Sequence, residues 1–71
     1  MSANSLQINV GKQVQKLREF KGLSQQDLAA KCNFEKSNMS RLEAGKVNPT
    51  LSTLEKVAKA LDVSIVELFT F

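Results

Sequence analysis

Apolar side chains along the chain recur at helical rather than strand spacing. Val10, Val14 and Leu17 fall at i, i+4 and i+7, with Phe20 flanking the stripe; this predicts a first helix over about residues 9–21. Gly22 follows as a stop signal. Ser24 with Asp27 forms Ser-x-x-Asp, a relative of the capping box that opens a second helix over about residues 24–32. Leu28, Ala29 and Cys32 make its inner face. Asn33 tolerates the left-handed backbone of a sharp turn, so a third helix begins about three residues later and spans about 35–44. Phe34 and Met39 stand at hydrophobic-staple spacing across its start if Glu35 is the N-cap, and Gly45 ends it. After a loop containing Pro49, Leu54, Val57, Ala58 and Leu61 repeat at i, i+3, i+4 and i+7. They predict a fourth helix from about residue 51 to 61, capped by Ser52-x-x-Glu55. Ser64-x-x-Glu67, with Val63 and Leu68 as a staple, opens a fifth helix over about 65–69. No strand-like alternation is present, so the expected fold is all-α, a compact five-helix bundle. One domain over residues 9–71 is expected, preceded by a loose arm over residues 1–8.

The third helix carries only two large apolar side chains, Met39 and Leu42. At 100° per residue these point one way, while Ser37, Ser40, Arg41 and Ala44 point the other and Lys36 lies at the flank. Small residues allow a close approach, and Lys36, Asn38 and Arg41 are long or polar enough to reach base edges in a groove. Two short helices joined by about three residues, the second polar outside, make a helix-turn-helix. A solvated helix face has the same pattern. Gln25 and Gln26 stand at the start of the second helix, where free N–H groups and the helix dipole favour a phosphate. Lys46, beyond the third helix, stands ready for a phosphate on the far side.

Composition narrows the choice. The 71 residues are 42% apolar and 24% charged, a globular balance for a single domain with a thin stability margin. Residues 1–46 hold eight Lys/Arg against four Asp/Glu, and residues 47–71 hold two against three. The basic excess therefore lies with the third helix and favours a polyanion. No apolar run approaches a membrane span, and MSANSLQINVGK has no signal-peptide pattern. One cysteine, Cys32, forms neither an internal disulfide nor a multi-cysteine metal site; a buried apolar role inside the cell is expected. There is no histidine, no Gly-rich phosphate loop and no carboxylate pair, so an enzyme is not expected, and no cofactor. No Trp or Tyr offers a stacking platform for single strands or RNA.

Residues 23–69 resemble the Cro/C1-type helix-turn-helix family, which includes phage repressors, XRE-type regulators and restriction–modification controller proteins. LSQQDLA, SRLEAGK, NPTLSTLEKVAKAL and VSIVELF carry the resemblance, in that order. It implies five helices and binding of a double-stranded DNA operator as a two-fold dimer, with the third helix in the major groove. Glu35, Lys36, Ser37, Ser40 and Arg41, and less directly Asn38, then face bases; Gln25 contacts a phosphate, with Gln26, the backbone around Ala44 and Lys46 as further candidates. Arg18 and Glu43 match a pair that the family often forms, expected here as a half-buried structural ion pair. The implied setting is cytoplasmic, of bacterial or phage type. Two departures stand out: Asn33 replaces the usual turn glycine, and Glu35 the usual small hydroxyl cap.

The end of the chain packs Val63, Ile65, Val66, Leu68, Phe69 and Phe71 into nine residues. One short helix cannot bury them all, so Val63, Ile65, Val66, Phe69 and Phe71 are expected at a homodimer interface. A two-fold dimer would set two copies of the third helix roughly 34 Å apart and select a palindromic operator. No sensory domain fits in this length, so no small-molecule ligand is expected. The other class of function open to the same fold is a protein-interaction module, such as an antitoxin or adaptor.

Overall fold

The computed structural model describes residues 5–71. It is all-helical: α1 spans Ser5–Phe20, α2 Gln25–Cys32, α3 Lys36–Glu43 and α4 Leu51–Leu61, followed by a short 3-10 helix, Ile65–Phe69. The fifth segment is thus a tight 3-10 turn rather than an α-helix. Ser64 caps it by accepting from the Val66 N–H, not through a reciprocal bond with Glu67. A five-residue segment has too few turns to sustain an α-helical hydrogen-bond ladder.

Part of the segment expected as a loose arm over residues 1–8 is helical. Ser5–Ile8 belong to α1, and residues 1–4 lie outside the described residues. The extra turn is held by a tertiary contact: the Ile8 backbone passes so close to Gly45 that a Cβ there would lie 2.6 Å from the Ile8 Cα. Gly45 also has φ +73°, a conformation that closes α3 cheaply only without a side chain. The Lys46 N–H returns to Arg41 O and the Gly45 N–H to Leu42 O, satisfying the last carbonyls of the helix.

Local signals behave unevenly. Ser24 and Asp27 form the expected reciprocal box. Asn33 takes φ 59°, and the Phe34 N–H reaches back to Ala29 O at 2.8 Å. Glu35 is the N-cap of α3 but makes no side-chain cap bond. The cap of α4 is Thr50, whose hydroxyl accepts from the Thr53 N–H, and not Ser52, which lies inside the helix. Thr50 holds the extended backbone of an N-cap (φ −75°, ψ 164°), so the helix starts at Leu51, as its spacing predicts.

Val10, Val14, Leu28, Met39, Leu42, Leu54, Val57, Leu61 and Leu68 form one buried core drawn from every element. Leu17, Leu23 and Phe34 pack against its edge. Phe20, expected beside the first stripe, is 85% exposed at the end of α1. Cys32 is buried, and its desolvation pushes the thiol above its ordinary pKa, the behaviour of a small core side chain.

Candidate nucleic-acid interface

α2 and α3 are joined by residues 33–35 and pack on each other. Met39, Leu42 and Glu43 are the buried residues of α3. Glu35, Lys36, Ser37, Asn38, Ser40 and Arg41 are all exposed, as are Ala44 and Lys46. Met39, Leu42 and the buried Glu43 carboxylate therefore seat the helix, and its other side chains are exposed. One contact within that face is defined: Arg41 Nη1 donates to Asn38 Oδ1 at 2.9 Å. At i, i+3 the two side chains are neighbours, so Asn38 holds one edge of the guanidinium and leaves its remaining donors outward.

At the start of α2, Gln26 is exposed and Gln25 half-buried. Their backbone N–H groups precede the first intrahelical bond, which runs from the Leu28 N–H to Ser24 O. Ser24 and Asp27 occupy the neighbouring donors. A pair of unspent N–H groups at the positive end of a helix is suited to an anion.

Behind this surface lies the ion pair expected from Arg18 and Glu43. It is more deeply buried than expected, with side-chain exposures of 9% and 3%. Arg18 Nε donates to Glu43 Oε2 at 2.7 Å and Nη2 to Oε1 at 3.1 Å. Hydrogen bonding to Glu43 raises the Arg18 pKa further, against a smaller opposing effect of burial. Arg18 Nη1 also donates to Leu23 O at 2.7 Å, closing the turn between α1 and α2. Gln25 joins the same carboxylate: its Nε2 donates to Glu43 Oε1 at 2.9 Å. Spacing alone did not reveal that bond, because Gln25 and Glu43 are 18 residues apart.

Among the described residues no group of three His, Cys, Asp or Glu side chains gathers to hold a metal, and no helix is long and apolar enough to cross a membrane.

The helix-turn-helix family model matches residues 14–68. The chain belongs to this family. Among curated relatives, an uncharacterized HTH-type transcriptional regulator, y4dJ of Sinorhizobium fredii, is 46% identical over 61 residues, covering 86% of this chain and 79% of the relative. The control protein C.MunI of a Mycoplasma species is 37% identical over 68 residues, covering 94% and 92%. Among solved structures, the restriction-modification controller protein C.AhdI of Aeromonas hydrophila superposes with a TM-score of 0.85 at 37% identity, covering 87% of this chain and 94% of that one. This helix-turn-helix protein is a DNA-binding transcriptional regulator of the Cro/C1, or XRE, type.

The residues expected at a dimer face divide in two. Val63 and Ile65 are half-buried and pack against the core. Val66 and Phe71 are 67% and 61% exposed, and Phe69 is also exposed. Two side chains outside the expected set join them in character. Leu51, at the first position of α4, is 75% exposed, and Leu6, on the extra turn of α1, is 58% exposed. Leu6, Leu51 and Phe69 line one groove of about 200 Å³, with Val10 and Leu54 among its other lining residues. Leu6 falls in the segment expected to be an arm, and Leu51 precedes the stripe of α4, so neither drew notice from periodicity.

Proposed function

We propose that this protein binds a palindromic double-stranded operator as a two-fold dimer and represses or autoregulates the genes beside it. The observation that carries the reading is the outward face of α3. In a helix seated by Met39 and Leu42, Lys36, Ser37, Ser40 and Arg41 stand exposed together. In the major groove Arg41 is the principal base reader, bidentate toward a guanine, with Asn38 steadying it. Lys36 and Glu35 border the same helix start; Glu35, unspent as a cap, is an acceptor for a cytosine amino group. Gln25 and Gln26 at one end and Ala44 with Lys46 at the other hold phosphates and set the register.

The dimer forms through Val66, Phe69 and Phe71 together with Leu6 and Leu51. Burying that surface supports the dimer without drawing on Val63 or Ile65, already committed to the core. Controller proteins among the relatives favour control of neighbouring genes, the protein's own included. We place the protein in the cytoplasm, as a regulator rather than a catalyst.

The test is selection of bound duplexes from a random DNA pool, with wild type and Arg41→Ala in parallel. An enriched palindrome that Arg41→Ala loses or relaxes is expected. No enrichment from a folded wild type would remove the sequence-reading function and leave α3 to a protein partner.

A further inference from the structure

The Arg18–Glu43 pair has a third member that a purely structural role does not require. Glu43 Oε2 accepts from Arg18 Nε at 2.7 Å, while Oε1 accepts both Arg18 Nη2 at 3.1 Å and Gln25 Nε2 at 2.9 Å. One carboxylate thus joins the last turn of α3 to α1 and also to the first residue of α2. No buried side-chain polar atom among the described residues is left without a partner, so the arrangement is complete in the free protein.

We propose that Glu43 is a positioning residue for DNA binding: pinned by Arg18, it fixes the Gln25 carboxamide at the start of α2 so that it meets a backbone phosphate already oriented. The inference rests on the reading of Gln25 as a phosphate contact.

The bond to Glu43 uses one of the two Nε2 hydrogens and leaves the other hydrogen free. Gln25 is also the first residue of α2, where its own backbone N–H and that of Gln26 precede the first intrahelical bond, so in this proposal an arriving phosphate takes both side-chain and main-chain donors. A free glutamine would have to give up its rotamers on binding; one held by a charge-assisted bond has already done so. Glu43 does not repel the phosphate, because its side chain is 3% exposed and Arg18 balances its charge. The same carboxylate sits on the recognition helix. One group therefore ties the end of α3 to the phosphate donor proposed on α2.

The experiment is a double-mutant cycle on the full chain. Wild type, Gln25→Ala, Glu43→Gln and the double variant are titrated against one defined short DNA duplex at low salt, well below each unfolding temperature; phosphate contacts do not depend on base sequence. Gln25→Ala should weaken binding about tenfold, the size of one hydrogen bond to a charged group. Glu43→Gln should weaken binding at least as much, and the double variant no further. Losses that multiply would show that Glu43 acts on binding independently of Gln25, and a Glu43→Gln that binds like wild type would show that it acts on stability alone; either overturns the proposal. Gln25→Ala binding like wild type would mean that Gln25 touches no phosphate, and the underlying reading would fall first. If Glu43→Gln does not fold, the wild-type Gln25 side-chain amide decides by NMR. One slowly exchanging proton in the free protein, with the second shifting on duplex addition, supports the proposal. Two rapidly exchanging protons, both unmoved by DNA, overturn it.

Discussion

Gly11→Ala tests the packing that seats the recognition helix. Gly11 is buried within α1. A Cβ built there would lie 2.5 Å from Leu42 O, 2.6 Å from Glu43 O and 2.9 Å from Glu43 C. All three are backbone atoms of the last turn of α3, so no side-chain rotation relieves the clash. To reach the 3.4 Å of ordinary contact the two helices must part by about 0.9 Å at this point. Inside an exposed helix the same change stabilises by about 1 kcal/mol. Here overpacking against main chain outweighs that gain, costing about 3 kcal/mol, so a net loss of about 2 kcal/mol is expected. For a domain of this size that lowers the unfolding midpoint by about 8–16 °C. Circular dichroism melting of wild type and variant reads it directly. Duplex affinity should also fall below the melting range, since α3 and the Arg18–Glu43 pair shift with the displaced turn. An unchanged or raised midpoint would refute the reasoning, showing that α1 and α3 have room between them.

Three further outcomes are expected. Lys46→Ala should weaken binding to every duplex alike and lower the slope of log affinity against log salt by about 0.9, the value for one phosphate contact; a loss confined to one sequence would make Lys46 a base reader. Leu51→Glu should convert dimer to monomer in sedimentation without lowering monomer stability, because an acid at the first position of α4 suits the helix dipole; an unchanged mass would take Leu51 out of the interface. Asp27→Asn tests the box at the start of α2. The Ser24 backbone N–H, and then its hydroxyl, hold the Asp27 carboxyl below its ordinary pKa. A lowered folded value means that the carboxylate stabilises the fold above the ordinary pKa of about 3.9 and loses that effect as pH falls through the folded value. The wild-type advantage in melting temperature should therefore be present at neutral pH and close in acid. A gap constant across that range would assign the effect to something other than the carboxylate charge.

Helix positions and the outward face of α3 were legible in the sequence because both depend on neighbours a few residues away. Val57 and Leu61 declare a buried stripe by spacing, Ser24 and Asp27 declare a cap, and Met39 with Leu42 leave the other side of α3 with nothing to bury. Where a local signal was ambiguous, the outcome depended on which backbone groups were free. Thr50 and Ser52 both offer hydroxyls, and the extended backbone at Thr50, whose hydroxyl meets the free Thr53 N–H, decides which caps the helix. The tight 3-10 form of Ile65–Phe69 follows from its length.

What the sequence by itself determined is therefore the set of helices, the family and the candidate reading face, all written in short-range periodicity and capping chemistry. The tertiary structure alone decided which side chains meet across long separations. It placed Ile8 against Gly45 and so made Ser5–Ile8, expected within the arm, a turn of helix. It pressed Gly11 onto the end of α3, brought Gln25 to Glu43 across 18 residues, and turned Val63 and Ile65 inward while leaving Leu6 and Leu51 outside. The physical reason is common to all of these. Periodicity specifies a direction around one helix axis, whereas a contact also requires the distance and angle between axes, which the core sets only once every element has packed.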